Sequence, residues 1–231
     1  MKEFHRLEWD PERCRVELDE LRELLASRRI LEERETTLPF FRERKHLSAF
    51  IGAYDPWGIT RFDLLAYEYN LFGDFTCDLV VGDSTTKHFG FVEFEIAAPD
   101  NIFVRKRGKS TPEWASRFER GYSQLVDWFW KLHEEESQYA YRDRFGTPPI
   151  EYFGLLIIGR DESFSSREQR RFDWRTSRTV VNSKHIYCRT FDRLYADLLS
   201  RLEQYSFGEA RDDSIRSSQS GKRKSKRRDK T

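Results

Sequence analysis

The chain has 231 residues, a formal net charge of +1 and 15% aromatic residues, so it is long enough to bury one large core or two small ones. Its three cysteines are far apart and form no CxxC pair, which argues against a disulfide framework and against a zinc knuckle. No apolar run approaches the roughly 18 residues that a membrane helix needs. No apolar segment follows the first residues either, so we expect a cytoplasmic protein without a signal peptide and without a membrane partner.

The first part of the chain predicts two helices followed by three strands. Asp10 before Pro11 is a typical helix start, and apolar residues follow at near-helical spacing as far as Ile30. A second helix is predicted for residues 35–51, and the turn at 55–58 separates it from the strands. The three predicted strands cover residues 62–69, 76–81 and 89–96.

The second part predicts alternating helices and strands. The sequence Ser-Thr-Pro-Glu at 110–113 is a strong start signal for a helix over 112–136. Three consecutive aromatic residues in that helix, at 128–130, cannot all face one core at about 100° per residue. The remaining predicted elements are a buried strand at 150–159, a helix at 166–181, an edge strand at 185–189 and a helix at 191–205. This order indicates one α/β domain with a mixed β-sheet flanked by helices.

The basic residues are concentrated at the end of the chain. Residues 208–231 contain nine Lys or Arg and four Asp or Glu, a net charge of +5, which leaves −4 for the first 207 residues. Within this segment the block at 222–228 has no aromatic residue nearby and cannot bury enough surface to fold. We therefore predict a disordered basic tail over 208–231, which could hold phosphates nonspecifically.

Three carboxylates lie on two of the predicted strands that follow one another. Asp78 opens the run DLVVGD, and after a short polar turn Glu93 and Glu95 end the run FGFVEFE. Because strand side chains alternate between faces, Glu93 and Glu95 point the same way, and adjacent strands could bring all three acids to one spot. Carboxylates that close repel unless a divalent cation or a proton lies between them. The pattern predicts a metal site with hydrolytic chemistry.

The segment 35–207 resembles the Shedu antiphage nuclease-like domain of the PD-(D/E)XK nuclease superfamily. The residues that carry the resemblance are Glu35 in the first helix, Asp78 in DLVVGD, Glu93 in FVEFE, and the helix RFERGYSQLVDW with Gln124. Trp174 and the run TFDRL at 190–194 fit the C-terminal part of the family. The resemblance implies a restriction-endonuclease-like core, preceded by an N-terminal helical arm at 1–34.

The resemblance also implies an active site. Glu35, Asp78 and Glu93 would bind Mg²⁺ or Mn²⁺ together with the backbone carbonyl of Phe94, and Gln124 would contact the site from the long helix. Where the family pattern has a lysine this chain has Glu95, which could act as a base or bind a second metal ion. The catalytic residues would then be Asp78, Glu93, Glu95 and Gln124.

The missing lysine leaves the source of positive charge open. Lys87, Arg105, Lys106 and Lys109 are near in sequence and are the candidate nucleic-acid-binding residues. The predicted partner is nucleic acid, with DNA favoured over RNA, and a homo-oligomer is expected.

Each assignment has a plainer alternative. Acids in strands are usually solvated, and Glu35 lies among acids that a helix N-terminus favours in any case. A chain that keeps the fold without the chemistry would bind or sense nucleic acid or a partner protein, and Glu95 in place of lysine supports that alternative. A third hypothesis is a structural subunit whose aromatic helix surface mediates oligomerisation.

Overall fold

The computed structural model describes residues 4–146 and 150–205. These residues form seven α-helices: Pro11–Ser27 (α1), Leu38–Glu43 (α2), Lys45–Phe50 (α3), Ser116–Glu135 (α4), Tyr139–Phe145 (α5), Ser166–Arg178 (α6) and 191–205 (α7). The strands are His5–Arg6 (β1), Leu64–Leu71 (β2), Phe75–Gly82 (β3), His88–Phe94 (β4), Phe103–Val104 (β5), Glu113–Trp114 (β6), Glu151–Ile157 (β7), Val180–Val181 (β8) and Lys184–Arg189 (β9). The predicted tail at 208–231 lies outside the described residues.

Seven strands form one mixed sheet in the order β1-β2-β3-β4-β7-β9-β8. The pairs β4–β7 and β7–β9 are parallel, and the other neighbours are antiparallel. The remaining strands, β5 and β6, make a separate two-stranded ribbon. The predicted α/β class with a mixed sheet is therefore confirmed.

Helices cover both faces of the sheet because the side chains of the strands alternate. On β4, Val92 and Phe94 belong to a core shared with α1, α2, α3 and α7. Phe89 and Phe91, on the opposite face of the same strand, belong to a second core shared with α4, α5 and α6. The result is a three-layer arrangement, and the odd-numbered residues of β4 face α4.

The predicted N-terminal arm packs onto the rest of the molecule. The Asp10 side chain accepts hydrogen bonds from the backbone N–H groups of Glu12 and Arg13 at 2.9 and 3.2 Å, as expected for a helix cap. The buried side of α1 belongs to the first core, and β1 extends the main sheet by pairing with β2. Over its described part the segment 1–34 is thus continuous with the domain.

Four local predictions were wrong. The helix predicted for 166–181 ends at Arg178 and is followed by β8, and the predicted edge strand at 185–189 is β9, which lies between β7 and β8 in the sheet. The helix predicted for 35–51 is a π-helical turn at Glu33–Thr37 followed by α2 and α3, with a break at Arg44, whose guanidinium binds the carbonyl of Phe40. The helix start predicted at 110–113 is not helical: residues 110–111 form a bend, Glu113 enters β6, and α4 begins at Ser116. There Trp114 pairs with Phe103 across the β5–β6 ribbon, with ring centroids 4.5 Å apart, so tertiary packing overrides the local capping signal.

The three consecutive aromatic residues of α4 divide as predicted. Trp128 and Phe129 are buried, whereas Trp130 is 55% exposed.

No helix within the described ranges is both long and apolar enough to cross a lipid bilayer.

Candidate active site

The register of β3 and β4 brings two carboxylates together. Leu79 pairs with Val92, so one step further along the antiparallel ladder Asp78 comes opposite Glu93 on the same face. At this point the Asp78 carboxylate accepts a hydrogen bond of 2.8 Å from the backbone N–H of Phe94. The Asp78 side chain therefore connects the start of β3 to the end of β4.

These carboxylates line a cavity of about 430 Å³ where β3 begins and β4 ends. Predicted site residues in its wall are Asp78, Glu93, Glu95 and Gln124. The cavity is completed by Glu33, Arg34, Leu38, Pro39, Arg42, Glu68, Thr76 and Arg120. Side chains from the π-helical turn, α2, β2, β3, α4 and the end of β4 thus converge on one space, and five of them are carboxylates.

Burial and mutual repulsion disfavour the charged forms of these acids. Glu93 is only 6% exposed, and its burial, followed by the charges of Asp78 and Glu95, raises its pKa well above the usual range. Burial also raises the pKa of Asp78, against the opposing effect of the Phe94 N–H. The pKa of Glu33 is raised by burial and then by Glu95. A bound cation would relieve this repulsion.

Gln124 contributes a polar atom that lacks a partner. Its side-chain Oε1 is buried and accepts no hydrogen bond within the described residues. The Gln124 side chain also interacts with the carboxylate of Glu93 and lowers the pKa of that group, which partly offsets the effect of burial. An amide oxygen without a donor beside two buried acids is unusual, because buried polar groups are generally satisfied.

The donor set fits a hard divalent cation. No group of three Asp, Glu, His or Cys side chains is already arranged around a metal position in the described part of the chain. Mg²⁺, however, commonly takes only one or two carboxylates and completes its shell with water and substrate phosphate. Asp78 and Glu93 supply such a pair, and carboxylate and amide oxygens suit Mg²⁺ and Mn²⁺.

Two arginines of α4, which were not among the candidates predicted from the sequence, bring positive charge to the cavity. Arg117 donates to the carboxylate of Glu95 at 2.8 Å, so the acid in the lysine position is ion-paired. Arg120 lines the cavity, where its charge partly offsets the rise in the pKa of Glu33, but within the described residues it makes no ion pair as close as 4 Å. The signal was present, since counting back from Gln124 at helical spacing reaches Arg120 and Arg117 on the same face.

A family model described as "Shedu protein SduA, C-terminal" matches residues 31–195, a span of 165 of the 231 residues. The chain belongs to this Shedu family. The matched span contains every residue of the cavity wall. No curated protein matches the chain. Membership in a Shedu family indicates a role in antiphage defence.

One predicted ligand of the Shedu domain is not placed at the cavity. Glu35 is exposed and does not line it, whereas Glu33 does. Both residues lie in the same π-helical turn, where side chains two positions apart leave the helix in nearly opposite directions. The structure therefore brings Glu33 to the site in the place that the resemblance suggested for Glu35.

The four predicted nucleic-acid-binding cations also lie away from the cavity. Lys87 is in the β3–β4 turn, six residues before Glu93 and hence about 20 Å away at about 3.3 Å per residue. Arg105 pairs with Glu168 at 3.0 Å. Both Lys106 and Lys109 bind the carboxylate of Glu113. None of the four lines the cavity. Lys87 lies at the opposite end of β4 from Glu93, and the other three side chains are paired with acids outside the cavity.

Gly121 lets α4 approach the sheet of this Shedu domain. A Cβ atom at Gly121 would lie 2.8 Å from Leu156 Cδ1 and 3.3 Å from Glu95 Cγ. We expect Gly121→Val to lower the free energy of unfolding by about 2 kcal/mol, since overpacking this contact forces the buried side chains of Leu156 and Glu95 out of their positions. Urea unfolding followed by circular dichroism would measure this. The exposed Ser123→Val on the same helix is the control, and an equal loss there would contradict the packing argument.

Proposed function

We propose that this Shedu-family chain is a metal-dependent nuclease that cleaves nucleic acid in antiphage defence. The observation that supports the proposal most strongly is the pairing of Asp78 and Glu93 on adjacent strands in a cavity that also holds an unsatisfied amide oxygen and unpaired arginine charge. A scaffold has no need to bury acids that repel one another, and such costly arrangements are typical of functional sites.

The roles of the residues follow from their positions. Asp78 and Glu93 would hold Mg²⁺ or Mn²⁺, with the carbonyl of Phe94 as a further ligand by resemblance. The bound ion would supply Lewis-acid polarisation of a phosphate oxygen and a water of lowered pKa. Glu95 is directed into the cavity and is placed to accept a proton from water. Gln124 would orient the Glu93 carboxylate or a bound water through its amide.

The arginines of α4 would supply the positive charge that the motif lysine provides in the family pattern. Arg117 balances the charge of Glu95, which is only 2% exposed. Arg120 remains available for a phosphate oxygen, and a guanidinium suits that purpose because it donates in a planar fork. The substitution of the motif lysine by Glu95 is thus compatible with phosphodiester hydrolysis.

The proposal is tested by incubating the protein with plasmid DNA, single-stranded DNA and RNA in Mg²⁺, Mn²⁺, Ca²⁺ or EDTA. We expect cleavage of at least one substrate in Mg²⁺ or Mn²⁺ and none in EDTA. Nucleic-acid binding without cleavage under every metal condition would instead support the non-catalytic binding or sensing module.

Arg120 gives a second, more specific prediction. Arg120→Ala should reduce the cleavage rate about tenfold, because one charge-assisted hydrogen bond to phosphate is lost. Arg120→Lys should recover part of the rate by restoring the charge without the fork. Initial rates at saturating metal would show this, with Arg142→Ala on α5 as an exposed arginine control. Equal effects of the two alanine variants would contradict a role for Arg120 in the site.

A further inference from the structure

One face of α6 carries an uninterrupted stripe of basic and aromatic side chains. Arg167, Arg170, Trp174 and Arg178 are spaced by three, four and four residues, which places them within one narrow face of a helix with 3.6 residues per turn. All four are exposed, and 66% of the Trp174 surface is open to solvent. We call these four residues the α6 stripe.

The opposite face of α6 fixes the stripe to the site-bearing helix. Phe172 is fully buried in the second core, and Ser165 with Glu168 forms a capping box at the start of the helix. Arg175 makes two parallel hydrogen bonds, of 2.7 and 2.8 Å, to the carboxylate of Glu119 on α4. Glu119 is the neighbour of Arg120, so α6 is anchored beside the part of α4 that reaches the cavity.

The arginines of the stripe are free to bind a ligand. None of the three makes a hydrogen bond through its side chain or an ion pair within the residues that the structure describes. The acid beside the stripe, Asp173, is already occupied by Arg193 at 2.6 Å and Gln169 at 2.9 Å. Five arginines against one Glu and one Asp give α6 a net charge of +3, although the first 207 residues together carry −4. The stripe is therefore a basic patch on an acidic body.

We propose that the α6 stripe binds single-stranded nucleic acid, with its arginines on the phosphates and Trp174 stacked on an unpaired base. From Arg167 to Arg178 the helix rises about 16 Å at about 1.5 Å per residue. That length spans about five phosphates at about 3.4 Å per nucleotide of one strand. An exposed tryptophan among arginines is the combination that binds single strands without sequence preference, because every base has a face on which to stack.

A duplex offers the same phosphates but no free base face, so Trp174 favours the single strand. This inference rests on the proposed nuclease function and deepens it, since it assigns a substrate-binding surface to the helix that Arg175 and Glu119 anchor to α4. It concerns binding alone and can be tested without cleavage.

Fluorescence anisotropy in EDTA with labelled 20-nucleotide single strands of DNA and RNA, and with the matched duplex, provides the test. We expect Trp174→Ala to weaken single-strand binding about tenfold and duplex binding much less. The triple variant R167A/R170A/R178A should reduce the slope of log Kd against log salt by about 2, at about 0.7 per lost phosphate contact. Thermal unfolding would verify that these surface variants remain folded.

The matched control combines an exposed tryptophan and an exposed arginine from elsewhere. Trp57→Ala with Arg142→Ala should leave binding within twofold of wild type, whereas Trp174→Ala with Arg170→Ala should not. Equal losses in the two double variants, or no binding of single strands by the wild type at low salt, would overturn the proposal. Stripe-dependent binding without any metal-dependent cleavage would retain the stripe and refute the nuclease function. Metal-dependent cleavage and single-strand binding that are both unaffected by the stripe variants would refute the stripe and retain the nuclease function.

Discussion

If the proposed metal site is correct, Glu93→Gln is expected to reduce metal-dependent cleavage by about 1000-fold, because it would remove a ligand of an ion that would stabilise the transition state by several kcal/mol. The substitution is nearly isosteric, and Glu93 is surrounded by Asp78, Glu95 and Gln124 rather than by bulky apolar groups. Loss of activity through misfolding is therefore not expected. Cleavage of the best substrate in Mg²⁺ and in Mn²⁺ would measure the effect.

The same variant has a second expected result that does not depend on activity. Without metal, Glu93→Gln should be more stable than wild type by about 1 to 2 kcal/mol, since glutamine is neutral, whereas the raised pKa of Glu93 means that the wild type must take up a proton or bury a charge beside other acids when it folds. It should also lose most of the increase in melting temperature that Mg²⁺ gives the wild type, because stabilisation by a ligand requires that the folded state binds it. An ordinary structural carboxylate would show destabilisation instead.

Glu151→Gln is the matched control for both measurements. Glu151 is exposed at the start of β7, and its ion-pair partner among the described residues is the half-buried Lys184. Replacing one partner of a surface ion pair has little effect on stability. Unchanged cleavage by Glu93→Gln, with normal activity in the control, would refute a metal site at Asp78 and Glu93.

The parts of the site that could be predicted from sequence are those governed by local periodicity. Alternation along β4 places Glu93 and Glu95 on one face, and the short β3–β4 connection makes those strands antiparallel neighbours of each other. The helical pattern of α4 likewise places Gln124 toward the sheet. In each case the side-chain direction follows from a fixed repeat of the backbone.

The remaining parts depend on geometry that no local pattern records. Whether Glu33 or Glu35 enters the cavity is decided by a π-helical turn, which changes the direction of each side chain. Helical spacing places Arg117 on the same face of α4 as Gln124, but its pairing with Glu95, 22 residues away in sequence, depends on the close packing of α4 on the sheet at Gly121. Lys87 was predicted because it is close to Glu93 in sequence. It lies in the turn that joins the end of β3 to the start of β4, whereas the cavity lies at the other end of these strands, where β3 begins and β4 ends.

Asp83 is expected to be a stability determinant of the fold, and Asp83→Asn should lower the free energy of unfolding by about 3 kcal/mol. Its fully buried carboxylate accepts five hydrogen bonds of 2.7 to 3.0 Å. The donors are the backbone N–H groups of Thr60, Arg61, Thr85 and Thr86 and the hydroxyl of Thr60. An asparagine would keep one acceptor oxygen but would direct an NH₂ group at donors that then lack a partner.

The effect should depend on pH in a defined direction. Burial alone would raise the pKa of Asp83, but the backbone N–H groups outweigh it and lower the pKa to about 2. An unfolded aspartate titrates near pH 3.9, so the folded state holds its proton less tightly and the stabilisation, about 2 to 3 kcal/mol, is complete above that pH. As pH falls toward 2 the advantage of wild type over Asp83→Asn should shrink, with about half lost by pH 3.

Urea unfolding at pH 6, 4 and 3 would test this, with Asp143→Asn as the control because Asp143 is an exposed acid on α5. A pH-independent difference between wild type and Asp83→Asn would mean that side-chain shape, not charge, accounts for the loss of stability.

The contrast with Glu93 is informative, since both acids are buried and both lie on or next to β3 and β4. Asp83 is surrounded by donors, whereas the neighbours of Glu93 are Asp78, Glu95 and the amide of Gln124, which is the setting that the proposed metal site requires. The hydrogen-bond partners of a buried carboxylate, more than its burial, therefore distinguish a structural role from a functional one.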